Sequence, residues 1–453
     1  MKGEIIMRAQ YDTQISRNNF EHIKRRNITP SELIDFLESG ALYRSFQDVL
    51  KAVYPGENLA EKLREGLLEI EGRPLTPKEA DTVRKNVSNW LNGKSIPQSR
   101  EQLFKICFAL ELSEAQTSQV LASASETGIH YRNPQELVYA FALRSGLKYF
   151  EAVALDQEMR QIYQPIVEAA EDERRAAWKK KEKVYHQKRI EAQRLRSLRE
   201  QQGGWAEPYL GALEQEDVPS FLTQQVVHRF EKVEDRESLR QFFVDASADL
   251  GTIHESAYEK FWQLLLILQE PNDAIASTRE QPQEADMENE EKYSEVYSLD
   301  RIAQLYFRMH VPVGKQTGSF DYLQKTIKKN WPGTTELQKM KSRKIDVSRK
   351  ALLLLFLITE DFLYSEDLQY SDQIDKNTAM FLFEEDDSPR DQLEIALSKV
   401  NLFLETYGMN QIDPGNPFDC LVVYALAAEY DTEFLSDKFS AALEVLFSRI
   451  TDK

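Results

Sequence analysis

The sequence predicts an all-α protein in which two helical domains are joined by a long basic helix and a central helical section. Two observations carry this expectation. Only 16 prolines and 17 glycines interrupt 453 residues, and the long stretches rich in Leu, Glu, Lys, Gln and Ala are made of strong helix formers. Along many of them, apolar residues recur at the three-to-four spacing of a buried helical face. The length allows two or three domains with sizeable cores.

Hydrophobic content of 42% and charged content of 29% are ordinary for a soluble globular chain. The formal net charge of −18 argues against blanket adhesion to nucleic acid. A local basic face stays compatible with it, because the Debye length is only about 8 Å in physiological salt. Cys107 and Cys420 each lie within an apolar helical run and read as buried thiols of a reducing cytosol. No signal peptide opens the chain. The longest unbroken apolar run, Ala351–Ile358, falls well short of the roughly 20 residues that cross a bilayer. The expected location is cytoplasmic, with no membrane partner.

Residues 1–30 are polar and end in Lys24-Arg25-Arg26, suited to a solvated arm or, as a minority alternative, to a phosphate contact. A first domain spans 31–154. Its opening helix starts at Thr29-Pro30, where the missing proline N–H costs nothing. Ser45-Phe46 starts another, with Phe46, Val49, Leu50 and Val53 on one face and Tyr54-Pro55-Gly56 at its end. Asn58–Ile70 is a further amphipathic helix, and Thr76-Pro77 marks the next start. Beyond Leu112, Ser113 caps a helix from Ala115 to Leu121, and Asn133-Pro134 opens a buried one through Leu137–Leu143. Residues 155–204 form one long helix. Heptad-like Leu155, Met159, Ile162, Ile166 and Ala169 give way to cations from Arg174 to Arg199, and Gly203-Gly204 ends it. It reads first as a solvated strut, and next as an arm for a coiled coil or nucleic acid. Residues 205–270 make a smaller helical section around Phe242, Phe243, Phe261, Trp262 and Leu265, and 271–295 an acidic linker. A second domain covers 296–453.

The most informative stretch is Arg84–Leu112. Val87, Trp90 and Leu91 face a core at helical spacing, leaving Lys85, Asn86, Ser88 and Asn89 outward. Gly93 stands as a left-handed stop, Pro97 holds the turn, and Ser99 with Gln102 forms a capping signal. Leu103, Ile106, Cys107 and Leu110 make the next buried stripe. A polar helix face, an abrupt stop and a packed support helix suit a major-groove reader. The segment resembles the second half of a Cro/C1-type, lambda-repressor-like (XRE family) helix-turn-helix domain. That resemblance implies a recognition helix over Thr82–Asn92, a support helix over Ser99–Leu110, double-stranded DNA as partner and transcriptional regulation as role. The extra turns ahead of Thr82 depart from the family's compact arrangement.

The last third repeats the first domain's signposts in order. Ser45-Phe46, Tyr54-Pro55-Gly56, Ile96-x-x-Ser99-Arg100, Gly128, Asn133-Pro134 and Leu137–Ala140 are matched along the chain. Their counterparts are Ser319-Phe320, Trp331-Pro332-Gly333, Ile345-x-x-Ser348-Arg349, Gly408, Asn416-Pro417 and Leu421–Ala425. The order points to a tandem duplication, and therefore to two lambda-repressor-like domains. In the second copy a reading helix is expected over Thr335–Ser342, capped by Thr334 or Thr335. Ser342 replaces the glycine stop, and an acidic insertion lies around Glu360–Asp391.

Both reading segments are locally basic. Arg84, Lys85, Lys94, Arg100 and Lys105 face Glu101 alone. Nine cations between Lys325 and Lys350, Lys328, Lys329, Lys339, Lys341, Arg343, Lys344 and Arg349 among them, face Glu336 and Asp346. Such cations neutralise phosphates and release counterions, while Asn86, Ser88, Asn89, Thr335, Gln338 and Lys339 offer groups for base edges. The expected DNA-contacting set is therefore Arg84, Lys85, Asn86, Ser88, Asn89, Lys94 and Arg100, with Thr335, Gln338, Lys339, Lys341, Arg343, Lys344 and Arg349. The six histidines lack metal-ligand spacing. Gly93-Lys94-Ser95 fails as a phosphate loop because Ser88 stands where the first glycine belongs. No catalytic residue, metal or cofactor is expected. The alternative to a DNA-binding regulator is an interaction scaffold of helix-turn-helix-like domains that no longer touch DNA. A protein partner or self-association through the long helix fits either reading.

Overall fold

A computed structural model describes residues 14–24, 28–43, 45–97, 99–125, 127–201, 222–277, 307–312, 320–329, 331–359, 389–428 and 434–449. Every regular element among them is helical, as the sequence predicts. The chain separates into two compact units, Arg44–His254 and Met1–Tyr43 together with Glu255–Lys453. Helices α1 (Gln14–Ile23) and α2 (Pro30–Asp35) belong to the second of these.

Unit Arg44–His254 contains α3 (Phe46–Val53), α4 (Leu59–Glu69), α5 (Pro77–Leu91), α6 (Arg100–Ala109), α7 (Glu114–Ser125) and α8 (Pro134–Arg144). It continues with α9 (Tyr149–Gln201), α10 (Leu222–Phe230) and α11 (Arg236–Ala246). Local sequence fixes the helix starts. Ser45 with Asp48, and Thr76 with Glu79, form reciprocal capping boxes, and Pro77 sits at the first helical position. One contiguous core joins Leu50, Leu63, Val87, Phe104, Leu137 and Phe243. Burial holds the Cys107 thiol in its neutral form, pushed up to about 12.

The other unit holds α1 and α2, α12 (Glu255–Ser277), α13 (Tyr322–Lys328), α14 (Thr334–Lys341) and α15 (Arg349–Thr359). It closes with α16 (Pro389–Thr406), α17 (Pro417–Leu426) and α18 (Leu435–Ser448). α12 packs on α15, and α17 on α18.

Several expected boundaries move. The N-terminal residues are not all solvated arm: α1 packs on α17, with Asn19 Nδ2 donating to the carbonyls of Pro414 and Leu42, each at 2.8 Å. α2 packs on α18, so the domain expected from residue 31 loses its first helix to the other unit. The long helix runs from Tyr149, but its first half is packed rather than a free strut: Leu155 and Met159 are buried, and Arg174 donates to the Ala248 and Leu250 carbonyls. The central section divides, α10 and α11 joining one unit and α12 the other. The linker expected from Pro271 begins inside α12, which continues to Ser277. The rest of that linker, Arg25-Arg26, Gly203-Gly204, Ser319 and residues 360–388 of the acidic insertion lie outside the described residues.

Each unit holds an ion pair in matching surroundings, at corresponding signposts of the expected repeat. Arg100, first residue of α6, donates to both carboxylate oxygens of Glu136 at 2.7 and 2.6 Å and to the carbonyls of Thr127 and Gly128. Arg349, first residue of α15, donates to both oxygens of Asp419 at 2.8 and 2.9 Å and to the carbonyls of Asn410 and Gln411. Each acid lies three residues after an N-capping asparagine, Asn133 or Asn416. Each also accepts a backbone N–H from six residues upstream, His130 or Asp413. Two of the expected correspondences shift register. Gly128 aligns with Gln411, not Gly408, and the helix after Ser319-Phe320 is capped by Asp321 rather than by a serine matching Ser45.

Removing one partner of a buried pair strands the other charge. Asp419→Ala is therefore expected to lower stability by about 3–5 kcal/mol in urea denaturation. Glu136→Ala should lower it less, because the Arg100 side chain keeps 29% of its exposure against 4% for Arg349.

Candidate nucleic-acid interface

The turn that follows each of the two helices expected to read DNA is built alike. In the first copy Asn92 N–H donates to Ser88 O, Gly93 N–H to Trp90 O and Lys94 N–H to Asn89 O, with Gly93 at φ 68°. In the second, Ser342 donates to Gln338 O, Arg343 to Met340 O and Lys344 to Lys339 O, with Arg343 at φ 55°. The left-handed stop is thus Arg343, and Ser342 is the counterpart of Asn92. A non-glycine residue is strained there. Its guanidinium compensates by reaching Glu255 at 2.5 and 2.8 Å and stacking over Tyr258 at 4.7 Å.

This register aligns the two helices. Val87 and Trp90 are buried where Leu337 and Met340 are buried. On the exposed side, Arg84, Lys85, Ser88 and Asn92 correspond to Thr334, Thr335, Gln338 and Ser342. Lys94 and Lys344, each directly after the left-handed residue, are both exposed. Asn89 is half-buried, whereas its counterpart Lys339 is exposed. The observed helices are Pro77–Leu91 and Thr334–Lys341, the first longer at its start than expected and the second without a side-chain cap at Gly333.

The structure withdraws part of the expected contact set. Arg100 and Arg349 are committed to the internal clamps, and the Arg343 side chain is 2% exposed against Glu255. Lys341 is half-buried with its ammonium 5.4 Å from the centre of the Trp262 ring. Asn86 is half-buried in a groove beside α5 rather than outward. Among the neighbouring cations, Lys105 pairs with Glu71, Lys328 donates to Pro312 O, and buried Lys350 donates to the Ile327 and Lys329 carbonyls. Burial draws the Lys328 ammonium below its usual range. Between Arg84 and Lys105 the exposed cations are Arg84, Lys85 and Lys94. Between Lys325 and Lys350 they are Lys325, Lys339 and Lys344. The charge inversion survives in both copies, reduced to three cations each.

Sequence reasoning missed three arrangements. The clamp acids Glu136 and Asp419 were legible only as the shared pattern Asn-Pro-x-acid. His130 and His254, expected to be scattered, lie with ring centroids 3.9 Å apart, their planes tilted by 48°, in one unit. The groove beside α5 carried no sequence signal. No known protein family, curated protein or solved structure matches the chain.

A Cβ at Gly93 meets nothing within 4 Å, so only its backbone conformation opposes substitution. Gly93→Ala should cost about 1 kcal/mol in denaturation midpoint analysis, and Gly93→Asn less. At the other end of α5, the Arg73 side chain and the Thr76 cap hold the Glu79 carboxyl down at about 2. A depressed folded-state value stabilises above the ordinary carboxylate range and is lost as pH falls towards about 2. Helicity followed by circular dichroism should therefore decline less steeply across that acid window in Glu79→Gln than in the native chain.

Proposed function

We propose that the chain is a DNA-binding protein, with a transcriptional regulatory role, that carries two divergent helix-turn-helix-like heads. The observation that supports this reading most is the repeated turn. A helix with a polar outer stripe ends at a left-handed residue followed by an exposed lysine, Lys94 or Lys344, and the same clamp fixes the helix behind it in both units. Arg84, Lys85 and Lys94 at one head, and Lys325 and Lys344 at the other, supply phosphate contacts, the positioning part of recognition. Ser88 and Asn92 in one head, and Thr335, Gln338 and Lys339 in the other, are the side chains left to meet base edges. Because these residues differ between the copies, the two half-sites need not share a sequence. Joining two heads in one chain raises the effective concentration of the second wherever both engage.

Salt dependence provides the test. Binding of the full chain to duplex DNA should weaken along a linear log–log plot, with a slope of about 0.9 per phosphate neutralised. Lys94→Ala together with Lys344→Ala should make that slope shallower by about 1.8, if each lysine holds one phosphate. Lys105→Ala, whose native side chain is paired with Glu71, should leave the slope unchanged. A chain that binds no duplex even at low salt, yet captures a stable protein partner, is instead the interaction scaffold.

A further inference from the structure

A cavity of about 390 Å³ opens beside the inner side of α5, between the end of α4, the 70–76 connection and the start of α6. Its apolar lining comes from Leu67, Ile70, Leu75, Val83 and Trp90. The size falls in the range of small-molecule sites, and such sites combine apolar walls with a few polar groups. Its rim is set in advance. Gly72 takes φ 64°, and a Cβ there would meet the Phe150 ring at 2.6 Å, so the connection is held against α9.

The charges around this cavity are unevenly satisfied. Glu71 is paired with Lys105 at 2.5 Å and Arg73 with Glu79 at 2.8 Å. That leaves Lys78 as the rim cation without an ion pair among the described residues. Further along the same helix face, half-buried Asn86 has no side-chain hydrogen bond among the described residues. An occupant that removes the apolar walls from water gains the hydrophobic term. The uncompensated ammonium then selects a negative charge at one end.

We propose that this cavity binds a small apolar monocarboxylate, its chain against Leu67, Val83 and Trp90 and its carboxylate towards Lys78. The site stands apart from the outward stripe of α5, and it holds or fails independently of the DNA-binding reading.

The test is calorimetric titration of the full chain, without DNA, using octanoate and its neutral counterpart octanamide. Octanoate should bind with a negative heat-capacity change and about threefold more tightly than octanamide, the modest advantage of an exposed charge pair. Lys78→Ala should bring octanoate down to the octanamide affinity, since removing an exposed side chain leaves the fold intact. Val83→Phe, which fills the cavity, should abolish binding of both; where Val83→Phe does not fold, Leu75→Ala, which removes part of the apolar wall, should weaken both. The proposal is overturned if octanoate does not bind at millimolar concentration, or if its affinity equals that of octanamide and is unmoved by Lys78→Ala.

Discussion

An arginine at the first position of one helix, gripping a carboxylate in the first turn of another, is the contact on which each half of this protein depends. Two ions taken out of water repay their desolvation only when the geometry is good and the remaining protons are satisfied. Both conditions hold at Arg349, whose guanidinium serves Asp419 bidentately and two loop carbonyls besides. Burial pushes the Asp419 carboxyl upward, and the adjacent guanidinium opposes that push. Arg100 makes the same set of contacts with Glu136 and the 127–128 carbonyls. The clamp ties the support helix, α6 or α15, to the loop ahead of α8 or α17, and thereby fixes where the preceding turn emerges.

The two halves solve the same packing problem with different material. In one, α4 packs on both α5 and α6, and a seven-residue connection, 70–76, joins it to α5. In the other, a five-residue connection, 329–333, joins α13 to α14, and α12 covers the support helix α15 instead. α12 also closes the end of α14: Tyr258 donates to the Lys341 carbonyl at 2.7 Å, and Glu255 holds the strained Arg343. A side-chain ion pair thus accompanies, in the second copy, a backbone conformation that glycine adopts unaided in the first.

Local features were legible in the sequence, because capping and helix stops depend on residues within one turn. Thr76, Ser99, Asn133 and Asn416 all cap where their spacing predicts. Tertiary commitments were not. Arg100 and Arg349 read as phosphate contacts because isolated arginines usually face solvent, while their acids lie 36 and 70 residues away. Arg343 was misplaced for the same reason, its partner Glu255 being 88 residues upstream. The recurrence of Ser-Arg with Asn-Pro-x-acid in both copies was the available clue, since a repeated charge pair points inward more than outward. Unit boundaries were missed because α1 and α2 join helices some 400 residues later, a connection that periodicity along the chain does not encode.

Hydrogen exchange of the full chain, with and without excess duplex DNA at low salt, addresses the central claim most directly. Two matching turns that contact the same kind of surface predict slowed amide exchange in residues 81–95 and 334–345, with the clamp helices α6 and α15 already slow and unchanged. Protection absent from both turns while DNA is demonstrably bound, or confined to another part of the chain, would contradict the account.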